Sequence, residues 1–409
     1  MSGDYPQSLG RRIAAHRKRR GLSQKEFAAL LERSEAWLSQ VERGVRRIDR
    51  ITVLEKVADV LGVPVGELAA EAPIMAAAAE GAPAVAHRLR LVFSSAHSLK
   101  AFLAHEDLPA EVPAVRAEVE RAWSLTHQGD LSGLADLLEE LVPRLESAAR
   151  SAAEADRTEL FRLLAVMYQA CGAALANMGE PDVAWVAVDR AVAAAEHAGD
   201  PLLMAACEFR LSVLFLGARR FEQAAMVSGS AAEALRSMEA SGQIEAVALR
   251  GALTLQRAVA AARLNLADDA YAHLRRARDL AERVGDGRND YNTEFGPANV
   301  SLHEVSVAVD LGDAGIALRA AQGVDASGLS AERQARLRID LARAYAQRRH
   351  VAEAVSALLE ARELSAQLTG ALPVVRQLTA DLLLMDPSYA DDLWMLAGQV
   401  GLPGPGTGG

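Results

Sequence analysis

A chain of 409 residues exceeds one small domain, and its 51% hydrophobic content can build a real core in two or more packed units. Only 4% of residues are aromatic, much of the apolar share is Ala with Leu and Val, and strand-type runs are few, so the chain reads as all-α. The net charge of −10 is uneven: residues 1–70 hold 13 Lys/Arg against 9 Asp/Glu and the remainder is strongly acidic, so nucleic acid is expected to meet only the head.

Three zones and a tail follow in chain order: a compact basic head over 7–70, a Pro/Gly/Ala linker over 71–86, a helical body over 87–400, and a Gly/Pro-rich disordered tail over 401–409. In the head, Leu9, Ile13 and Ala14 give the stripe of a first helix that Gly21 ends. Ser23-Gln24-Lys25-Glu26 spells a capping box for a second helix with Phe27, Ala28 and Leu31 inward. After the turn Glu32-Arg33, Ser34 is an N-cap for a third helix from Glu35 to Arg43, with Leu38 and Val41 on its core face. Ile51, Leu54, Val57, Ala58 and Leu61 mark a fourth helix, and Pro64 opens a short fifth one carrying Leu68. The run Arg17-Lys18-Arg19-Arg20 is expected to be a solvated face.

The body carries a degenerate repeat. Small or apolar anchors recur at Leu134, Ala184, Ala224, Ala270, Ala317 and Ala354, spaced by 37 to 50 residues, and most have a second Ala seven positions on. Two helices approach closely only where such small residues face each other, and stacked hairpins bury a core that one hairpin cannot. The two cysteines, Cys171 and Cys207, fall in apolar helical patterns and are expected as buried free thiols. No metal-ligand spacing, Gly-rich phosphate loop, nucleophile elbow or HExxH motif is present, so neither a cofactor nor an enzymatic activity is expected. The first residues lack an apolar signal core and no long uninterrupted apolar stretch occurs, so a cytoplasmic, nucleoid-associated protein without a membrane span is expected.

The string GLSQKEFAALLERSEAWLSQVERG with ITVLEKVADVLGVPVGELA resembles the Xre (lambda-repressor/Cro-like) helix-turn-helix family. One departure is Glu32, where family members usually carry Gly in the turn. The resemblance implies that the third helix enters the major groove. Glu35, Ala36, Trp37 and Gln40 would then face base edges, with Gln24, Ser34, Ser39, Arg43, Arg46 and Arg47 on phosphates. Trp37 is equally a packing residue, and Glu35 equally a partner for its helix dipole. High affinity from so small a module implies a homodimer on an inverted-repeat operator in double-stranded DNA.

The body resembles tetratricopeptide repeats over roughly residues 115–370, with Gly172, Ala184 and Ala191 at the motif's small positions. The expected architecture is therefore an N-terminal five-helix head followed by a superhelical array of helix hairpins. Such arrays are lined on their concave side by the first helix of each pair. Mapping those positions places Gln169, Asn177, Phe209, Arg263, Asn299, His303, Arg336 and Arg343 in a ligand groove, together with Trp123, Thr126, Leu255, Leu302 and Ser306. The polar break over 285–300 is a candidate loop across that groove, with Tyr291 and Phe295 as ligand contacts. The layout is similar to that of Rgg/PlcR-like pheromone receptors, which implies a regulator gated by a peptide or small molecule. A DNA-binding protein whose body is a protein-protein scaffold remains the alternative, and an antitoxin-like component a distant third.

Overall fold

A computed structural model of the chain describes residues 5–46, 48, 51–63, 68, 84–92, 111–386, 389 and 392–393. The expected fifth head helix opened by Pro64, Arg47, most of the linker and the tail lie outside these residues. Among the described residues every regular element is helical. The head comprises α1 (Tyr5–Arg19), α2 (Gln24–Leu30), α3 (Glu35–Glu42) and α4 (Ile51–Leu61). Next comes α5 (Ala84–Val92), which begins within the segment expected to be linker.

The body is built of paired helices. The pairs are α6 (Val112–Gln128) with α7 (Leu131–Ser151), α8 (Glu154–Asn177) with α9 (Pro181–Ala198), and α10 (Pro201–Gly217) with α11 (Phe221–Ala234). A short α12 (Arg236–Ala240) precedes α13 (Ile244–Arg263) with α14 (Ala267–Val284). Then follow α15 (Pro297–Leu311) with α16 (Ala314–Ala321) and α17 (Ala331–Gln347) with α18 (Val351–Leu364). Two further helices, α19 (Ala366–Ala371) and α20 (Pro373–Met385), close the described body. Helix α8 is long and apolar enough to cross a membrane by composition, but most of that stretch is buried against its neighbours.

The turn within each pair obeys one rule. Gly129, Gly179, Arg219, Asn265, Gly312 and Arg349 all adopt a left-handed backbone, with φ between 60° and 85°. Each stands two residues before the second helix and five before one of the six anchors, and all six anchors have zero exposure. The left-handed residue reverses the chain at the end of one helix, and the anchor then meets the first helix where the backbones are close. Glycine takes this conformation at no steric cost, whereas an L side chain there costs about 1–2 kcal/mol. Three pairs nevertheless use Arg or Asn. The sequence repeat is thus a repeated turn geometry, and its glycines mark only half of the turns.

The head keeps its own core of Leu9, Ile13, Phe27, Leu38, Val57 and Leu61 among others, while the body holds several contiguous clusters along the array. Met385 of α20 packs onto the head core, so the two units share an edge. Cys171 and Cys207 are buried free thiols.

Candidate DNA-reading face and central cavity

Local chemistry fixes the head's turn. Ser23 Oγ accepts from the Glu26 N–H, and the Glu26 carboxylate accepts from the Ser23 N–H, closing the expected capping box. Ser34 Oγ likewise accepts from the Trp37 N–H and starts α3, which ends at Glu42 with Arg43 as its C-cap. Glu32 stands in the left-handed region at φ 54°, so the glycine-type turn persists without a glycine.

Behind α3, the buried Glu42 carboxylate accepts from Arg17 Nε at 2.5 Å and Nη2 at 2.9 Å, and from Gln24 Nε2 at 2.8 Å. Arg17 also donates to the Leu22 carbonyl at 2.7 Å. One carboxylate therefore ties α1 and α2 to α3 and sets the angle at which α3 stands out. Gln24 is half-buried, and one N–H of its amide is donated to Glu42. One sequence expectation needs correction here: Arg17 is buried rather than part of a solvated run. No local periodicity signals a partner 25 positions away.

The outward side of α3 is free. Ser34, Glu35 and Ala36 are exposed, as are Arg43 and Arg46 beyond the helix, while Ser39 and Gln40 are half-buried. Trp37 is half-buried against the head core, with the Arg33 guanidinium 5.8 Å from its ring centre. Arg47 lies outside the described residues.

A cavity of about 970 Å3 opens along the first helices of the pairs, α6, α8, α10, α13, α15 and α17. Helices α1 and α20 complete its wall through His16, Arg19, Arg20 and the Pro373–Asp381 stretch. Of the groove residues named from sequence, Asn177, Phe209, Arg263, Asn299, His303, Arg336 and Arg343 line it, as do Trp123, Leu302 and Ser306. Gln169 does not line it: it is 2% exposed and donates to Cys207 Sγ at 3.4 Å inside the core. Thr126 and Leu255 are also core residues. Phe295 is 1% exposed and packed on Gly251, and neither it nor Tyr291 reaches the lining.

The lining exposes more apolar than polar surface, and it is also rich in charged side chains. Among the described residues it carries nine arginines against five carboxylates, on a chain of net negative charge. Most charges pair across the array. Asp310 accepts from Arg263 Nε at 3.0 Å and Arg343 Nη2 at 2.6 Å. Burial opposes its ionisation, but the two guanidinium groups outweigh burial and hold its carboxyl well below the usual range. Glu332 accepts from Arg336 Nε at 3.1 Å and Asn177 Nδ2 at 3.2 Å. There too burial is outweighed, by Arg336 and Arg333, and the pKa falls to about 2. Burial, reinforced by Arg333, depresses His303 to about 4, so it is neutral near pH 7. Sequence spacing finds the helix faces but not the Asp310–Arg263, Asp310–Arg343 and Glu332–Asn177 contacts, because those partners lie on different hairpins; Glu332–Arg336 is a local i,i+4 pair.

Residues 8–71 match the family model of a helix-turn-helix domain. The head is a helix-turn-helix domain. No curated protein and no solved structure matches the chain.

The helix-turn-helix head meets the body through the end of α1 and the start of α2. Arg20 Nε donates to Asp381 Oδ2 at 2.7 Å in an almost fully buried pair. Arg349 clamps both oxygens of Glu26 at 2.6 Å each. Gln347 Nε2 donates to the Arg19 carbonyl at 3.0 Å, and Arg19 Nη2 donates to Asn265 Oδ1 at 3.1 Å. Asn265 and Arg349 are two of the three non-glycine turn residues. Gly21 lies so close to Ala346 that a Cβ would fall 2.2 Å from its carbonyl oxygen. Thus Arg19 and Arg20, expected to be solvated, are junction residues. The same Glu26 carboxylate caps α2 and holds the body.

Proposed function

We propose that this chain is a cytoplasmic, sequence-specific DNA-binding transcription regulator that works as a homodimer on an inverted repeat. A small ligand in the central cavity sets the position of its head. The helix-turn-helix head supports DNA binding. Base edges are read by Glu35, Ala36, Trp37 and Gln40, and phosphates are held by Gln24, Ser34, Ser39, Arg43, Arg46 and Arg47.

The observation that carries the gating is the shared wall: α1 both braces α3 through Arg17–Glu42 and lines the cavity through Arg19 and Arg20. A ligand that fits one head position better than another shifts the head between them, and DNA affinity with it. A small molecule suits the cavity better than an extended peptide. Of the amides that would pair with a peptide backbone, Asn177 already bonds within the protein through both its amide atoms and Asn299 through its Nδ2, so neither can offer the paired donor and acceptor that a backbone needs. The charged side chains of the lining are the one observation favouring a protein-docking body, yet many of them are already paired with one another.

The test is sequencing of genomic fragments retained by the purified chain, followed by mobility shifts on the recovered sites across a salt series. A palindromic motif and a steep salt dependence are expected. Failure to retain any fragment even at low ionic strength refutes the regulator reading.

A further inference from the structure

The cavity's carboxylates have guanidinium partners, but one of its guanidinium groups has no carboxylate. Arg210 is 7% exposed and lines the cavity without an ion pair. Its Nη2 donates to the carbonyls of Asn292 at 2.6 Å and Tyr291 at 3.3 Å, and its Nε is buried with no acceptor. The rings of Trp123 and Phe209 lie 4.6 and 4.9 Å from its carbon centre. Nearby Glu294 and Glu332 are engaged by Arg333 and Arg336. A buried guanidinium with an idle N–H and no ion-pair partner is unfavourable unless something answers it. The first turn of α15, just after the loop of Tyr291 and Asn292, carries a second orphan of opposite sense. Asn299 is 2% exposed and lines the cavity. Its Nδ2 donates to the carbonyls of Thr293 and Glu294, and its Oδ1 is buried without a donor.

We propose that the cavity is a binding site for a small aromatic or otherwise apolar carboxylic acid bearing a hydroxyl or N–H donor. The acid's carboxylate meets Arg210, its donor meets Asn299 Oδ1, and its apolar body lies against Trp123, Phe209 and Leu302. This rests on the reading that the cavity receives a ligand, and it names that ligand's chemistry. The anion supplies the acceptor and the charge that Arg210 lacks, and a charge-assisted bond in a secluded site is among the strongest polar contacts available. Burial and the neighbouring Arg333 already push the Arg210 pKa down to about 10, in keeping with a cation short of counter-charge.

The experiment titrates the whole chain, without DNA, by calorimetry with benzoate, 4-hydroxybenzoate and 6-hydroxy-2-naphthoate, each against its own carboxamide. At least one hydroxylated acid is expected to bind at one site per chain, tenfold or more tighter than its amide. That preference should vanish in R210M and survive in R210K, which keeps a cation should the loop loosen. If no acid outbinds its amide on the unaltered chain, or if R210M keeps the preference, the proposal is overturned. Operator affinity with and without the bound acid is measured separately. A bound acid that leaves operator affinity unchanged removes the gating and leaves the site.

Discussion

Substituting Gly251 by Ala tests how the segment over the cavity is seated. Gly251 lies in the middle of α13, where Ala normally stabilises a helix by about 1 kcal/mol. Here a Cβ would fall 2.0 Å from Phe295 Cζ and 2.2 Å from Cε1. The ring is 1% exposed, so it cannot yield without leaving the core. Holding the ring in place costs about 1–3 kcal/mol of overpacking, and expelling it costs about 3–5 kcal/mol. After the helix gain, G251A should lose roughly 0–2 kcal/mol of stability with the ring held in place, or roughly 2–4 kcal/mol with the ring expelled. F295L removes the outer ring atoms, so G251A should be nearly neutral in that background. The two substitutions should therefore couple by about 1 kcal/mol or more. Urea unfolding followed by circular dichroism on the four proteins measures this. An equal cost of G251A in both backgrounds refutes the idea that the glycine is there for the ring.

Two other predictions concern the head. Q40A should relax preference at one base position of the half-site by ~1–3 kcal/mol, read from competition among operator variants; an equal loss on every sequence would take Gln40 off the base-reading face. Glu26 is held at about 2 by the Arg349 side chain, which with Ser23 outweighs the opposing effect of burial, against an ordinary 4.5. A depressed carboxyl contributes stability above its unfolded pKa and loses it as the pH falls, so the head–body junction should weaken between about pH 4.5 and 2. Carboxyl NMR should find Glu26 titrating near 2 and rising toward its ordinary range in R349M, and a titration unmoved by R349M would show that the clamp does not form in solution.

What the sequence revealed depended on how far away a residue's reason lies. The capping box and the N-cap of α3 are local, and they were legible from a few consecutive residues. The Ala anchors were legible because packing repeats them. Arg17, Arg19 and Arg20 looked like a solvated run because their partners Glu42, Asn265 and Asp381 are 25, 246 and 361 positions away. Phe295 looked like a ligand contact because an aromatic in a polar stretch has no periodicity. The residue that explains it, Gly251, is the absence of a side chain on another helix. Gln169 sat at a plausible groove position, yet its side chain is buried and donates to Cys207. Arg210 drew no attention for a related reason: an arginine's lack of a partner becomes visible only when every neighbour's partner is known.

The non-glycine hairpin reversals carry a last implication. At Asn265 and Arg349 the chain accepts an unfavourable backbone conformation, and in both places the side chain so displayed grips the head. Glycine there would relax the reversal and release the grip together. Drift toward a sturdier array would thus loosen the reader, so a generic thermostabilising campaign on this chain would select against its own transmission.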